Sequence, residues 1–264
     1  MNTISFPEFN LVFNISKIAF SIGKIDIYWY AILIVLGIII SLILCSKSKQ
    51  NYGINFEDFL EVIIFSLVLG IIGARLYYVI FRIDYYKNNL YEIFNIRDGG
   101  LEIYGGIISG IITSYIICKK KRIDIIDFFD YSSPYLVLSQ AIGRWGNFFN
   151  IEAYGTQTKV FCRMGIFLQA NYIEVHPCFL YESIACFIIF ILLKLIQNKR
   201  SFKSQIFSLY LILYGFIRFF IEGIRIDSLM LYNFRISQIT SIMFISIGVY
   251  ILIKHKIKII RYGT

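Results

Sequence analysis

The sequence predicts an all-α polytopic membrane protein with about seven transmembrane helices. Hydrophobic residues make up 58% of the 264 positions and charged residues only 16%, which is more apolar than the core of a soluble domain requires. The apolar residues are gathered into runs close to the about 20 residues that a helix needs to cross the hydrocarbon core. Phe and Tyr, 25 and 20 in number, are abundant enough to line the ends of such helices at the lipid headgroups.

Seven segments are apolar enough and long enough to cross a membrane. Each is predicted to be helical, because every backbone N–H inside the lipid must find its partner within the segment. The segments are residues 27–45, 59–81, 103–118, 128–149, 179–196, 206–222 and 236–253. The chain shows no internal repeat and no linker, so residues 1–264 are predicted to form a single transmembrane domain.

The distribution of basic residues predicts the orientation. Clusters of Lys and Arg at 47–49, 119–122, 199–203 and 254–261 fall between alternate segments, on one side of the membrane. Because cytoplasmic loops carry the excess of Lys and Arg, the N-terminus is predicted to face the periplasm and the C-terminus the cytoplasm. The net charge of +9 therefore reflects membrane topology, and no basic stripe or motif predicts nucleic-acid binding.

The five cysteines include no CxxC pair and no spaced Cys/His set, so no metal site is predicted. Cys162 and Cys178 belong to one predicted external connection. Their spacing is compatible either with a disulfide or with two free thiols.

Three arginines, Arg75, Arg144 and Arg218, fall within or at the edges of apolar segments. A charge at the membrane centre costs about 2.5–3.5 kcal/mol, so such residues usually face a polar cavity or a partner. For Arg75 the alternative to a functional role is an ion pair with a carboxylate of another helix. Lys194 lies near the cytoplasmic end of its segment, where its side chain can reach the headgroups.

Polar residues also share one face of the sixth segment. Tyr214, Arg218, Glu222 and Arg225 recur at helical spacing and therefore lie on one side of the predicted helix. The pattern indicates either a polar site or an Arg218–Glu222 pair that only neutralises its own charge.

The densest polar cluster, residues 143–155 (GRWGNFFNIEAYG), stands where the fourth segment meets its external loop. It combines a guanidinium suited to a lipid phosphate, that of Arg144, with the polar side chains of Asn147, Asn150 and Glu152. This set is larger than a helix cap needs, so it predicts a binding or catalytic site.

Two further polar stretches, residues 99–106 and 176–182, each begin a predicted helix on the external side. The second contains His176, one of only two histidines in the chain. A histidine at a helix start is either a cap or surface residue or a catalytic group, and the sequence is compatible with both.

In their order along the chain, these stretches resemble the prolipoprotein diacylglyceryl transferase family. The core pattern of that family, G-R-x-G-N-F-x-N-x-E-x-x-G, is intact at residues 143–155. Further matches lie at Trp29-Tyr30 and at residues 73–78, 99–110, 176–182 and 214–227. The resemblance therefore covers most of the chain.

The resemblance implies a bacterial inner-membrane enzyme with seven transmembrane helices and a small periplasmic head, to which residues 151–177 contribute. It implies transfer of the diacylglyceryl group of phosphatidylglycerol to the thiol of the lipobox cysteine in a prolipoprotein signal peptide. The implied products are a thioether and glycerol phosphate, and no cofactor is expected. Because both substrates lie in the bilayer, the site is expected to open to lipid near the periplasmic side.

The predicted site combines this resemblance with the polar clusters. Arg144 and Arg218 are expected to act at the phosphate, with Glu152 beside them among the catalytic residues. The residues expected to bind substrate are Tyr30, Asn147, Asn150, Gly155, His176, Tyr214, Glu222 and Arg225. Glu152, His176 and a water molecule are each candidates for accepting the thiol proton.

One catalytic position departs from the family. Tyr104 stands where the family usually has a histidine that is a proposed base for the thiol. A phenol with a pKa of about 10 is a poor acceptor of the proton of a thiol with a pKa of about 8.5. Tyr104 is therefore predicted to donate a hydrogen bond instead.

Two other functions place polar residues inside a membrane. A transporter or channel would line its path with these arginines, and a non-catalytic scaffold would use them for assembly. The sequence shows neither an inverted repeat nor paired broken helices, which a transporter would favour. A scaffold would not need so many polar groups clustered at one depth.

Overall fold

The structure, a computed structural model, describes residues 2–49, 52–96, 99–168 and 171–262, and these are mostly helical. The helices are α1 (Trp29–Ser46), α2 (Phe56–Ile80), α3 (Ile83–Tyr86), α4 (Ile103–Lys120), α5 (Ile125–Gly143), α6 (Trp145–Asn150), α7 (Cys178–Gln197), α8 (Gln205–Ile224) and α9 (Ile236–Tyr262). Five of them, α1, α2, α7, α8 and α9, are long and apolar enough to cross a membrane. The chain is therefore a polytopic helical membrane protein. The third and fourth predicted segments are also helical, as α4 and α5, but they are not among these five.

The fourth predicted segment, residues 128–149, is not the single helix that was predicted. Helix α5 ends at Gly143 and the separate α6 begins at Trp145, with Arg144 between them. A Cβ atom on Gly146 would be only 2.5 Å from the ring of Tyr30 on α1, so glycine at this position allows α6 to lie close to α1. The break lets α6 pack against α1 and leaves Arg144 at a helix junction.

The all-α prediction is wrong outside the long helices. The strands are β1 (Asn2–Phe6), β2 (Leu11–Ile15), β3 (Ile18–Ile22), β4 (Ile25–Tyr28), β5 (Met164–Leu168), β6 (Asn171–Val175), β7 (Met230–Leu231) and β8 (Phe234–Arg235). An antiparallel sheet has the order β2-β1-β5-β6, while the β3–β4 and β7–β8 hairpins lead into α1 and α9. Pairing of β1 with β5 places Ile4 opposite Ile166. These two residues are far apart in the sequence, so no local sequence pattern predicts that they pair.

The four-stranded sheet packs on the elements that carry the 143–155 cluster. The side chains of Ile4 in β1 and Ile166 in β5 are fully buried, and Phe148 of α6 and Phe179 of α7 belong to the same apolar core. The ring of Phe148 also stacks on that of Phe6, with 6.5 Å between their centroids. The sheet thus combines β5 and β6, from the predicted external loop, with the N-terminal strands, and it holds α6 against α7.

The chain divides into two compact units, residues 1–50 with 132–264 and residues 51–131. In the second unit, α2 and α4 approach each other through small residues. A Cβ atom on Gly73 would lie 1.8 Å from Ser109 Oγ, and one on Gly105 would lie 2.5 Å from the carbonyl oxygen of Gly73. Close approach at small residues is the usual way in which membrane helices associate.

Arg75 is buried within the second unit, and its guanidinium lies over the ring of Tyr86 at 5.3 Å. Its described hydrogen bonds go to backbone carbonyls rather than to the carboxylate considered in the sequence. The acceptors are the carbonyl oxygens of Glu92, Ile93, Gly99 and Gly100. Arg75 therefore holds the connection that leads into α4, whose first turn contains Tyr104.

Lys194 lies in the first unit. Its Nζ donates to Gln197 Oε1 at 2.6 Å, to Tyr135 Oη at 2.9 Å and to Ser48 Oγ at 3.3 Å. Near one end of α7, its charge is thus held by polar groups.

Candidate active site

Three charged side chains converge in the first unit, where α7 and α8 meet the α5–α6 junction. The carboxylate of Glu182 forms an ion pair with Arg144 Nη2 at 2.7 Å and accepts a hydrogen bond from Arg218 Nη1 at 3.0 Å. The Glu182 side chain is only 3% exposed. One buried carboxylate therefore holds two guanidiniums that come from different parts of the chain.

A second carboxylate, on α8, extends this array. Glu222 Oε2 lies 2.7 Å from Arg218 Nη2 and 3.8 Å from Arg225 Nη1. Arg225 Nη2 in turn lies 2.9 Å from Asp227 Oδ1. Arginines and carboxylates alternate from Arg144 to Asp227, so each charge has an opposite neighbour, as buried charges require. We call these six residues, with Glu182 and Arg218 among them, the charged array.

Two more side chains support the charged array. Tyr214 Oη donates to Glu182 Oε1 at 3.3 Å, and the guanidinium of Arg235 donates to the carbonyl oxygen of Glu222. The polar face predicted for the sixth segment is therefore present on α8. Because Arg218 also reaches Glu182 on α7, it does more than neutralise Glu222.

The connection after α6 carries an amide and carboxylate cluster. Glu152 Oε1 accepts from Asn147 Nδ2 at 2.9 Å and from Asn150 Nδ2 at 3.2 Å. The next residue, Ala153, has a left-handed backbone with φ of 56°, and its N–H donates to Asp227 Oδ2 at 3.1 Å. Asp227 thereby ties this connection to the charged array.

Gly155 is the point where three chain segments meet. Its N–H donates to the carbonyl oxygen of His176 at 2.9 Å, and its backbone bridges to Arg225. A Cβ atom here would lie 2.8 Å from His176 Cβ and 3.1 Å from the carbonyl oxygen of Ile224. Only glycine allows this approach.

His176 stands in the connection before α7. Its Nδ1 lies 3.2 Å from Tyr181 Oη, which lies 3.3 Å from Cys162 Sγ. Burial lowers the pKa of His176 below its ordinary value of 6.5, so the imidazole is neutral at neutral pH.

Cys162 and Cys178 are free thiols, so no disulfide joins them. Within the described ranges, no group of three or more His, Cys, Asp or Glu side chains is placed to hold a metal ion.

Where Arg144 and Arg218 meet Glu182, the arginines are more exposed than the carboxylate, whereas Asp227, at the other end of the charged array, is 45% exposed. The side chains of Arg144 and Arg218 are 22% and 15% exposed, whereas those of Glu182 and Glu222 are 3% and 2% exposed. An anion that approaches Arg144 and Arg218 therefore meets their guanidinium N–H groups before it meets the carboxylates of Glu182 and Glu222. Guanidiniums bind phosphate oxygens in a bidentate manner and stabilise charge that develops on them. The geometry suits a phosphate ester.

Comparison with known families agrees with this chemistry. The family model described as "Prolipoprotein diacylglyceryl transferase" matches residues 17–254. The chain belongs to the prolipoprotein diacylglyceryl transferase family.

Curated relatives of this family are similar over nearly their whole length. The phosphatidylglycerol–prolipoprotein diacylglyceryl transferase of Finegoldia magna is 49% identical over 246 residues, which are 93% of this chain and 98% of the relative. The relative of the same name from Clostridium novyi is 43% identical over 251 residues, covering 92% of this chain and 97% of the relative. That from Streptococcus pneumoniae is 43% identical over 247 residues, with coverages of 90% and 94%.

In this member of the diacylglyceryl transferase family, most of the predicted site residues lie in the first unit. The charged array and its neighbours include Arg144, Asn147, Asn150, Glu152, Tyr214, Arg218, Glu222 and Arg225. Tyr30 lies against Gly146 of α6, and Gly155 contacts His176. Tyr104 belongs to the second unit, so its role at the site stays a prediction, as do the individual roles of the other residues.

Glu182 and Asp227 are not among the site residues predicted from the sequence, although they contact the arginines of the charged array. The sequence contains a signal for Glu182, because it is an acidic residue in an apolar segment and a buried carboxylate is as costly there as a buried arginine. Asp227 has no such signal, since it follows α8 in an ordinary connection.

Gly155→Ala is expected to lower the free energy of unfolding by about 1–3 kcal/mol, because the added methyl overlaps His176 and the backbone of α8. The measurement is the thermal unfolding midpoint of the purified protein in detergent. Gly143→Ala is the matched control, since its Cβ atom would meet Ile34 Cγ1 at an ordinary 3.8 Å. Equal midpoints for the two variants would contradict the close packing at Gly155.

The buried imidazole of His176 is expected to make stability depend on pH. Because its pKa is lower in the folded state, the unfolded chain takes up a proton near pH 6.5 before the folded chain does. Stability is therefore expected to fall as the pH decreases through that value, and His176→Gln should remove this contribution. Unfolding midpoints of the parent protein and the variant, compared on both sides of this pH, measure it. A midpoint difference that does not change with pH would refute the expectation.

Proposed function

We propose that this protein is an enzyme that transfers the diacylglyceryl group of phosphatidylglycerol to the lipobox cysteine of prolipoproteins, the first step of bacterial lipoprotein maturation. The observation that carries the proposal is the convergence of Arg144 and Arg218 on the buried carboxylate of Glu182. Membership of the family, whose curated relatives are named for this transfer, supports the same conclusion.

The transfer is a displacement at a glyceryl carbon. A C–S bond forms, the C–O bond to phosphate breaks, and glycerol phosphate leaves with the bonding electron pair while the thiol proton passes to an acceptor. Arg144 and Arg218 bind the phosphodiester and stabilise the additional negative charge on the departing phosphate. Because Glu182 holds both guanidiniums in place beforehand, little reorganisation is needed when the lipid arrives.

The proposed proton acceptors are Glu152, His176 and a water molecule. Tyr104 acts as a hydrogen-bond donor through its phenol hydroxyl. Tyr104→Phe is expected to lower turnover about tenfold, because it removes a hydrogen bond from the hydroxyl to a charged group. Initial rates of peptide modification measure the change. Turnover equal to that of the parent protein would show that this hydroxyl is dispensable.

We also infer seven membrane crossings, by α1, α2, α4, α5, α7, α8 and α9, with the four-stranded sheet forming a periplasmic head at the inner membrane. The basic clusters between alternate helices support this orientation. The orientation is tested by applying a membrane-impermeant thiol reagent to whole cells that have been made permeable only at the outer envelope. The chain used for this test carries Cys162→Ser. Labelling of Lys24→Cys but not of Lys120→Cys is expected, and the reverse pattern would refute the orientation.

The activity is tested with the purified full chain in detergent, phosphatidylglycerol and a synthetic lipobox peptide. Mass spectrometry of the peptide is expected to show the mass of one added diacylglyceryl group. A peptide with serine in place of the lipobox cysteine is the control and should remain unmodified. Absence of the adduct from the cysteine peptide would refute the proposed function.

A further inference from the structure

A groove of about 450 Å³ runs along α5 and α7 in the first unit. Its floor is made by two small buried residues, Ala141 and Ser183, which are 3% and 8% exposed. Its wall on α7 is made by Ile184, Phe187 and Ile188, each about half exposed. Small residues between large ones therefore create an apolar depression on the outer surface of α7, a helix suited to cross the membrane.

Trp145 closes one end of this groove. Its Nε1 donates to Ser183 Oγ at 3.1 Å, and Ser183 Oγ donates to the carbonyl oxygen of Ala141 at 2.7 Å. These bonds fix the indole and satisfy the polar groups of the floor. The remaining surface is hydrocarbon, so it suits an apolar occupant.

The closed end adjoins the charged array. Trp145 follows Arg144 directly on one side, and Ser183 follows Glu182 on the other, while Arg144 and Glu182 are paired at 2.7 Å. Consecutive Cα atoms are about 3.8 Å apart, so this end of the groove lies within one residue of the Arg144–Glu182 pair along both chain segments. A lipid whose phosphate lies on Arg144 would have its acyl chains beginning beside Trp145.

We propose that this groove binds one acyl chain of the phosphatidylglycerol. The inference rests on the proposed function. Along α7 the lining residues run from Ser183 to Ile188, a length of about 7.5 Å at 1.5 Å per residue. This length is too short to bind the face of a membrane-spanning peptide helix, but it is sufficient for part of a fatty-acyl chain. Because lipid tails are as apolar as the groove, recognition depends on packing rather than on the hydrophobic effect.

Photocrosslinking tests this assignment in the purified full chain. Phosphatidylglycerol with a diazirine in one acyl chain is irradiated with the protein, and the adducts are mapped by tandem mass spectrometry. Adducts are expected at Trp145 and at residues 183–188. Ile184→Trp fills the groove and is expected to lower their yield about tenfold, as overpacking of an occupied space does. Leu195→Trp is the matched control, because it places the same ring on an exposed position of α7 outside the groove.

A thermal unfolding midpoint shows whether Ile184→Trp folds, and Ile188→Trp provides a second filling variant. Adducts elsewhere, or equal yields in the filling and control variants, would overturn the assignment. It would also be overturned if a photoreactive lipobox peptide labelled the groove and displaced the lipid label. Crosslinking reports binding without turnover, so adducts in the groove without peptide modification would reject only the proposed function. Peptide modification without these adducts would reject only the groove.

Discussion

Arg144→Gln is expected to lower the rate of diacylglyceryl transfer at saturating substrate by at least about 100-fold, the usual cost of removing one donor that stabilises transition-state charge. Gln keeps a polar side chain, but it lacks the positive charge and the planar guanidinium whose parallel N–H groups bind two phosphate oxygens. The loss is expected mainly in kcat, since the charge on phosphate grows as the C–O bond breaks. Initial rates over a range of phosphatidylglycerol concentrations separate kcat from KM.

Arg200→Gln is the matched control for this loss. Arg200 lies just beyond the opposite end of α7, and its Nε donates to the carbonyl oxygen of Phe202 rather than to the charged array. Its rate is expected to stay within about twofold of the parent, since substitutions away from such features usually have small effects. If Arg144→Gln were as active as Arg200→Gln, the phosphate-binding role of Arg144 would have to be abandoned.

Glu182→Gln is expected to lower the free energy of unfolding by about 3–5 kcal/mol, the cost of removing one partner from a buried ion pair. The change leaves the guanidiniums of Arg144 and Arg218 without the carboxylate that they share. Activity should fall as well, because the two arginines then lose their common position. The measurement is the unfolding midpoint in detergent together with the transfer rate.

The control for Glu182→Gln is the same substitution at Glu61. Glu61 Oε2 lies 2.6 Å from Lys121 Nζ, but its side chain is 47% exposed, so this ion pair is expected to contribute only about 0–1 kcal/mol. A large drop at Glu182 and a small one at Glu61 would show that burial decides the effect. Similar small drops would mean that Arg144 and Arg218 do not depend on Glu182.

Hydropathy predicted the helices well because backbone in lipid has few alternatives to the helix. Helix α7, Cys178–Gln197, extends the predicted segment by one residue at each end. The same reasoning failed at Arg144, where the predicted helix is divided into α5 and α6. It also missed the four-stranded sheet, whose central pairing joins the N-terminus to residues beyond 160.

The sequence by itself determined the helical membrane class, the family, and the motifs that contain the arginines and amides of the site. These are properties of single residues or of short stretches, such as the hydropathy of α7 or the intact pattern at residues 143–155. Only the tertiary structure decided that Arg144 and Arg218 meet on Glu182, and that the sheet packs on Phe148. Such contacts join distant parts of the chain, and a buried charge is stable only where folding brings an opposite charge within hydrogen-bonding distance.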